Sequence, residues 1–205
     1  MSTPASYFES MYRHASDPWH LAERWYEQRK YDLTVAALPR PRYRRAFEPA
    51  CSVGELTLRL AGRCDALLAC DRVASAAATA AQRTAGYSHV TVEHRVLPEE
   101  WPDGTFDLIV LSELLYYFDP AALDLLLRRS VASLEPGGTL IAVHWNHPAD
   151  GHLATGAELA PVIARIPGLT PAAEHREDDF VLQTFGRPGP DGIRPPSPAE
   201  REGLV

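Results

Sequence analysis

Short apolar runs alternate with helical patterns along most of the chain after residue 43. The strand candidates are 44–49, 66–71, 89–95, 106–112, 138–145, 169–177 and 180–186. The helix candidates are 54–62, 73–85, 120–134 and 155–165. The last two strand candidates are joined only by two aspartates, which is typical of a β-hairpin. The pattern predicts an α/β protein with a doubly wound, Rossmann-like, seven-stranded sheet, mostly parallel with an antiparallel C-terminal hairpin strand.

The segment before the sheet has a helical pattern over residues 16–38. Asp17 is a suitable N-cap residue, and proline is favoured at the first helical position that follows it. Leu21, Trp25 and Leu33 recur at multiples of four, which places them on one face of a helix. We therefore predict one long helix whose apolar face, including Trp25, packs against the sheet.

These patterns divide the chain into three parts. Residues 1–43 form an N-terminal helical lid segment, and residues 44–187 form the α/β domain. Residues 188–205 are rich in proline and glycine and have no periodicity, so we expect them to be disordered.

Composition narrows the class of protein. With 205 residues, 45% of them apolar and 23% charged, the chain fits one globular domain. No apolar run is long enough to cross a bilayer, and no signal peptide is visible, so we expect no membrane association. Three cysteines cannot form a complete disulfide framework, which favours the reducing cytoplasm. Basic residues form no dense stripe, so we expect no nucleic-acid partner. The oligomeric state is left open.

The first predicted strand ends in "EPACSVG", residues 48–54, where small residues precede a helical pattern. In open α/β sheets, ligands bind outside the carboxyl ends of the strands. A turn that binds a dinucleotide needs three glycines, and the pyrophosphate of the dinucleotide repels a nearby carboxylate. This turn has one glycine, Gly54, and begins with Glu48. Asp71 ends the second strand, where an acid accepts ribose hydroxyls. An adenosine ligand with a cationic part, such as S-adenosylmethionine, fits this arrangement better than a dinucleotide does.

Five stretches in order carry a family resemblance: "DPWHLAERWYEQRKY", "FEPACSVGELTLRLA", "LLACD", "FDLIVLSELLYYF" and "LEPGGTLIAVHWNHP". The chain resembles the class I S-adenosylmethionine-dependent methyltransferases and, within them, the nodulation protein S family of N-methyltransferases. The resemblance covers about residues 7–186. It implies S-adenosylmethionine as the cofactor, S-adenosylhomocysteine as the product, and a small-molecule acceptor.

The resemblance also implies a cofactor site. Its residues are Trp19, Tyr26, Arg29, Glu48, Pro49, Ala50, Cys51, Gly54, Asp71, Arg72, Val96, Leu97, Ser112, Glu113 and Leu114. Two positions depart from the family pattern. Ala50 stands where these enzymes usually have a glycine, and Val96 stands near an expected aspartate, which leaves the adenine to backbone groups and apolar contacts. Trp19 and Tyr26, with Arg29, are expected to close over the cofactor as a lid.

Candidates for the chemistry follow the fourth and fifth strands. Glu113 could attract an ammonium substrate and take its proton, and Tyr117 lies near it in sequence. His144, Trp145, His147 and His152 cluster at the end of the fifth strand, and one of these histidines could be a general base, with His144 and His147 as the first candidates. No carboxylate is in register with these histidines, so we expect no metal.

Three functions remain open at this stage. The first is methylation of the amine of an amino sugar or aminated natural product, which the resemblance favours. The second is O-methylation of a hydroxylated metabolite with a histidine base. The third is a regulatory module that binds the cofactor without turnover.

Overall fold

The computed structural model describes residues 1–205 and contains one seven-stranded sheet. The strands are β1 Ala46–Pro49, β2 Leu67–Asp71, β3 Val90–His94, β4 Phe106–Ser112, β5 Leu134–Trp145, β6 Thr170–Arg176 and β7 Phe180–Gly186. Their order across the sheet is β3-β2-β1-β4-β5-β7-β6. Strands β1 to β5 pair in parallel, and β7 pairs antiparallel with both β5 and β6. The predicted doubly wound sheet with an antiparallel hairpin is confirmed.

Seven α-helices and one 3₁₀ turn complete the fold. They are α1 Ala5–His14, α2 Trp25–Ala36, α3 Glu55–Ala61, α4 Ala74–Arg83, the 3₁₀ turn Leu115–Tyr117, α5 Pro120–Ser133, α6 Gly156–Ile163 and α7 Pro198–Arg201. Helix α5 begins at Pro120 because the Asp119 carboxylate accepts the first free N–H groups. Helix α6 begins with a capping box between Thr155 and Glu158.

The sheet is buried on both faces, as expected for a parallel sheet between two layers. Strand β4 shows this best because all of its residues are buried. Ile109 and Leu111 pack into the core on one face, while Leu108 and Val110 pack into the core on the other. The continuous apolar run of β4 in the sequence is therefore the consequence of its central position.

The order of the strands across the sheet reverses between β1 and β4, which are parallel neighbours although β2 and β3 separate them in sequence. Such a reversal opens a crevice at the carboxyl ends of the two strands. The turn that follows β1 and the turn that follows β4 both lie at this edge. These two turns carry Ala50, Ser52 and Glu113, so the residues that the sequence suggests for a site meet at this crevice.

The N-terminal segment differs from the prediction of one long helix. The structure has two helices, α1 and α2, with turns between them. Asp17 does cap N–H groups, those of Leu21 and Ala22, but it caps a turn and not a long helix. Trp25 starts α2 and is 76% exposed, so the prediction that it packs against the sheet is wrong. The spacing of Leu21, Trp25 and Leu33 at multiples of four was misleading because residues 16–23 are not helical.

Smaller differences concern the ends of elements and the tail. Strand β5 begins at Leu134, several residues before the predicted 138, because α5 ends directly in the strand. The tail has one short helix, α7, which starts with a capping box of Ser197 and Glu200. No helix combines the length and the apolar composition that crossing a bilayer requires.

Candidate active site

The turn after β1 has an unusual backbone. Ala50, Ser52 and Gly54 have φ angles of 58°, 49° and 83°, in the left-handed region. Gly54 fits this conformation without strain, and a Cβ there would lie 2.9 Å from the Cα of Ala80 in α4. Ala50 and Ser52 carry side chains in a conformation that costs about 1 kcal/mol each. Non-glycine residues held in this way are concentrated at binding sites.

Asp71, at the end of β2, holds this turn in place. Its carboxylate accepts hydrogen bonds from the backbone N–H groups of Ser52, at 2.9 Å, and Val73, at 2.8 Å. Burial raises the pKa of Asp71, although the two N–H groups oppose that rise. Each oxygen accepts only one of these bonds and keeps a second lone pair. The carboxylate can therefore still accept hydroxyl donors of a ligand.

Glu48 lies beside this turn at the end of β1 and is 3% exposed. Its Oε2 atom is buried without a hydrogen-bond partner. Burial raises the pKa of Glu48 to about 8. A buried acceptor without a partner costs about 1–3 kcal/mol, so a cationic or hydrogen-bonding ligand group at this point would be stabilising.

A cavity of about 530 Å³ opens at this edge of the sheet, a volume typical of small-molecule sites. Its wall is mainly apolar and aromatic, with a few charged groups. The aromatic side chains in the wall are Tyr7, Phe8, Tyr12, Trp19, Tyr26, Tyr31, Tyr116, Tyr117, Phe118 and Trp145. Glu48 and Asp71 are neighbouring acids in the wall, and we call this part of the wall the cofactor end. Glu27, Lys30 and Glu113 are joined by ion pairs in the wall, and we call this part the acceptor end.

Lys30 is the only lysine of the chain and is 2% exposed. Its Nζ atom lies 2.9 Å from Glu27 and 3.1 Å from Glu113. Burial would lower the pKa of Lys30, but the two carboxylates outweigh it and raise the pKa above its ordinary value. Lys30 is therefore charged at neutral pH, and this ion pair joins α2 to the turn after β4.

Glu113 has a φ of 52°, so it too stands in the left-handed region. The Tyr116 hydroxyl donates a hydrogen bond to its Oε2 atom. Burial would raise the pKa of Glu113, but the ammonium of Lys30 and this hydroxyl outweigh it and hold the pKa below its ordinary value. Burial raises the pKa of Glu27. The acceptor end thus combines one ionised carboxylate, one ammonium and a second carboxylate.

The N-terminal residues cover the cavity. The hydroxyls of Tyr12 and Ser52 are hydrogen-bonded, which links α1 to the turn after β1. Phe8 packs edge-on against Tyr117, with 4.8 Å between the ring centroids, and the Arg72 guanidinium lies over its other side. The Thr3 hydroxyl donates to the carbonyl of Gly151 at 2.5 Å. Helix α1 therefore contacts both ends of the cavity.

Most of the predicted site residues lie in the cavity wall. They are Trp19, Tyr26, Glu48, Ala50, Cys51, Asp71, Arg72, Ser112, Glu113, Leu114 and Tyr117. Pro49 and Gly54 shape the turn from outside the wall. Arg29 points elsewhere and forms a two-bond ion pair with Glu177. Val96 and Leu97 are not brought to the wall; Leu97 packs into the core.

The two histidines predicted as bases are not in the wall either. His144 is 2% exposed, and its Nε2 atom accepts the N–H of Leu115 at 3.1 Å. Burial lowers the pKa of His144 to about 4. His147 is exposed and pairs with Asp179 at 2.8 Å. The histidine that does line the cavity is His152, a third member of the histidine cluster that the sequence places after the fifth strand. Strand-end position alone did not distinguish these three side chains.

The wall residues that the prediction missed include Phe8, Tyr12, Glu27 and Lys30. Phe8 and Tyr12 belong to α1, whose apolar spacing was not used. Lys30 had one signal, since it is the single lysine among 19 arginines. No group of three or more His, Cys, Asp or Glu side chains is arranged to hold a metal ion.

A doubly wound sheet, an acid at the end of each of the first two strands and a left-handed turn between them define the class. The protein is a class I S-adenosylmethionine-dependent methyltransferase. The family model described as "Nodulation protein S (NodS)" matches residues 10–159. The chain belongs to the nodulation protein S family.

Individual relatives agree with this family. Nodulation protein S of Sinorhizobium fredii is 33% identical over 149 residues, which are 70% of this chain and 68% of that protein. The solved structure of the N-methyltransferase NodS from Bradyrhizobium japonicum WM9, in complex with S-adenosylhomocysteine, is 25% identical and has a TM-score of 0.76. The match covers 88% of this chain and 98% of the NodS chain. A putative methyltransferase from Pseudomonas syringae is 43% identical, with a TM-score of 0.72 and coverage of 80% and 100%.

Proposed function

We propose that this enzyme methylates the amine of a small molecule, of the class of an amino sugar or an aminated natural product. The observation that carries the proposal is the charge of the acceptor end. Glu27 and Glu113 lie on either side of one ammonium, that of Lys30. The two carboxylates outnumber the ammonium, so the site favours a cationic group over a neutral hydroxyl. The Bradyrhizobium relative is named an N-methyltransferase, which supports an amine as the acceptor.

The residues of the cofactor end fit S-adenosylmethionine. When bound, the cofactor supplies a methyl group on a sulfonium, and the electron pair of the broken C–S bond stays on sulfur. Asp71 would accept the ribose hydroxyls with its free lone pairs. The carboxyl group of Glu48, which lines the cavity, would accept the ammonium of the methionine part. Backbone N–H groups of the small-residue turn before α3 would approach its carboxylate.

At the acceptor end, Glu113 would hold the incoming ammonium. Lys30 and Tyr116 already fix its carboxylate, so it needs little further ordering when the acceptor arrives. The aromatic rings around it exclude water and restrict the orientation of the acceptor. Tyr117 lies in the same wall and is the second candidate for contact with the acceptor.

Turnover on matched acceptors tests this function. An amino sugar and the sugar with a hydroxyl at the same position differ only in the accepting atom. We expect S-adenosylhomocysteine to form with the amine, and the rate to rise with pH until the free amine dominates. Activity on the hydroxyl compound alone would contradict the proposal. Calorimetric binding of S-adenosylhomocysteine without turnover on any panel member would point to the regulatory module.

A pair of variants tests the role of Glu113. Glu113→Gln should raise the acceptor KM more than it lowers kcat, because it removes the charge that attracts the ammonium. Glu99→Gln is the matched control, since Glu99 is exposed and its carboxylate has no partner. Equal acceptor KM values in the two variants would show that Glu113 does not bind the acceptor.

A further inference from the structure

Glu27 is a buried carboxylate whose position is set by helix α2. It lies three residues before Lys30, so both side chains stand on one face of the helix. The Nζ atom of Lys30 is 2.9 Å from the Oε2 atom of Glu27. The preceding residue, Tyr26, packs edge-on against Trp145 at the end of β5, with 5.4 Å between the ring centroids. The start of α2 is therefore docked on the sheet, and it presents the Glu27 carboxylate to the acceptor end.

One oxygen of this carboxylate is open to the cavity. The Oε2 atom is shielded from solvent and faces the ammonium of Lys30. The Glu27 side chain lines the cavity and is 12% exposed, and its Oε1 atom, unlike Oε2, is neither shielded from solvent nor bonded within the chain. His152 differs in this respect, because its Nδ1 atom is shielded and its Nε2 atom contacts the Tyr117 hydroxyl. Oε1 of Glu27 is therefore an atom that a group of the acceptor can reach.

Charged and titratable groups face Glu27 from its own helix and from the turn after β4. They are Arg24, Tyr26, Lys30, Tyr31, Glu113 and Tyr116. Burial raises the pKa of Glu27, the ammonium of Lys30 opposes this rise, and the charge of Glu113 adds to it. The pKa of Glu113 is held below its ordinary value. Two carboxylates on one ammonium are thus shifted in opposite directions, an arrangement that gives the two groups different roles in proton transfer.

We propose that Glu27 takes up the proton of the acceptor ammonium at Oε1, while Glu113 stays ionised and holds the nitrogen. An N–H bond of the ammonium breaks, its electron pair stays on nitrogen as a lone pair, and an O–H bond forms at Oε1. The lone pair makes the amine a nucleophile. The carboxyl group of Glu27 then releases the proton to water. The inference rests on the proposed function, because an amine, and not a hydroxyl, arrives with an extra proton at neutral pH.

The neighbouring groups are less suited to this step. Glu113 is bonded to Lys30 and Tyr116, which hold its pKa low and make it the weaker base. The Nε2 atom of His144 already accepts a backbone N–H, and burial lowers the pKa of His144 to about 4. General bases are most effective when their pKa is near the working pH. Glu27 combines a raised pKa with an accessible, unbonded oxygen.

The first experiment compares Glu27→Gln with Glu23→Gln at pH 7 and saturating cofactor. Glutamine keeps the shape of the side chain but does not take up the proton. We expect kcat to fall about 100-fold in Glu27→Gln, with a much smaller rise in the acceptor KM. Glu23 is 81% exposed before the start of α2, so its variant controls for the loss of a carboxylate. A Glu27→Gln enzyme that methylates the amine with more than a third of the wild-type kcat would overturn the inference and leave the proposed function intact.

The second experiment separates proton transfer from packing by supplying an amine that is already free. The rate lost in Glu27→Gln should return in part, to about a tenth of the wild-type rate or more, as the pH approaches the pKa of the acceptor amine. An acceptor whose amine has a low pKa should show the smaller loss already at pH 7. Glu27→Asp keeps the carboxylate and should be more active than Glu27→Gln. A loss that is independent of pH and of the pKa of the amine would leave only a structural role and overturn the inference.

The third experiment measures binding without turnover. Calorimetry of the amine with the S-adenosylhomocysteine complex should show a larger loss of affinity in Glu113→Gln than in Glu27→Gln, because Glu113 holds the ammonium and Glu27 removes its proton. The reverse order would contradict this division of roles. Failure of the proposed function has a different result, since the wild-type enzyme itself would then leave every amine of the panel unmethylated.

Discussion

At the cofactor end of the cavity, backbone groups hold the binding residues: the Asp71 carboxylate is fixed by the N–H groups of Ser52 and Val73. At the acceptor end, side-chain charges hold each other, since Lys30 lies between Glu27 and Glu113. The first arrangement follows from the chain path at the sheet edge. The second requires α2 to be docked, because Lys30 and Glu27 lie on that helix.

This difference has energetic consequences. Backbone hydrogen bonds at a sheet edge survive changes in other side chains, because the strands that carry them are fixed by the core. Buried charges depend on every member of the group, since removing one leaves the others without compensation. The acceptor end should therefore be the more easily damaged of the two, and the variants below test that order.

The largest effect is expected for Lys30→Met. It leaves Glu27 and Glu113 buried without a cation, and breaking a buried pair in this way costs about 3–5 kcal/mol. Urea unfolding at pH 7 measures the change in the free energy of unfolding. The matched control is Arg29→Met at the neighbouring position, which breaks a partly exposed ion pair with Glu177 and should cost much less. Equal losses in the two variants would show that burial of Lys30 does not matter.

The pH dependence of this loss follows from the pKa of Glu113. In the wild type the pKa of Glu113 lies below its ordinary value, so its stabilisation is present at neutral pH and is lost as the pH falls through the folded pKa. In Lys30→Met the two carboxylates have lost their cation, and burial raises the pKa of each, so they take up protons at a higher pH. The difference between wild type and Lys30→Met should therefore be largest near pH 7 and shrink as the pH falls. A difference that is constant from pH 7 to 3 would contradict this assignment.

A smaller effect is expected for Asp71→Ala at the cofactor end. We expect the affinity for S-adenosylhomocysteine to fall by about 1–3 kcal/mol, because hydroxyl donors lose a charged acceptor. Calorimetry measures the affinity, and Asp124→Ala on the exposed face of α5 is the control. The variant should also unfold at a lower urea concentration, because the N–H groups of Ser52 and Val73 lose the carboxylate that accepts their hydrogen bonds. Unchanged affinity would mean that the ribose is held elsewhere.

Cofactor binding should slow amide hydrogen exchange in α1 more than in the sheet. Helix α1 reaches the turn after β1 only through side chains, such as the contact between Tyr12 and Ser52. Residues 7–31 must open to admit ligand, so their amide exchange should slow about 10-fold on saturation with S-adenosylhomocysteine. Equal protection with and without ligand would make α1 a fixed wall and not a lid.

The smallest effect is expected for Ala50→Gly. The left-handed φ of Ala50 costs about 1 kcal/mol, which glycine relieves, while the added flexibility of the unfolded chain opposes the gain. Stability should change by less than about 1 kcal/mol, and cofactor affinity should be kept or increased. A large loss of affinity in the folded variant would show that the methyl group of Ala50 makes a useful contact.

The sequence located the acids at the ends of β1 and β2 because strand ends are local features. The apolar runs locate β1 and β2, so Glu48 and Asp71 follow directly from where those runs stop. The acceptor end depends on how separate segments dock, which periodicity does not encode. The same limit explains Trp25, because a spacing of four continued through a region that is not helical. His144, His147 and His152 look alike in sequence; the end of β5 separates the first from the other two, and the path of the loop before α6 separates His147 from His152.

Because Lys30 is the only lysine, selective isotope labelling can observe the acceptor end alone. Isotope labelling of lysine alone places one labelled side chain in the whole molecule, and that side chain lies between Glu27 and Glu113. Because Lys30 is buried and held by two carboxylates, its ammonium protons are shielded from solvent. One resonance therefore reports on the occupancy of the acceptor site, without a background from any other residue.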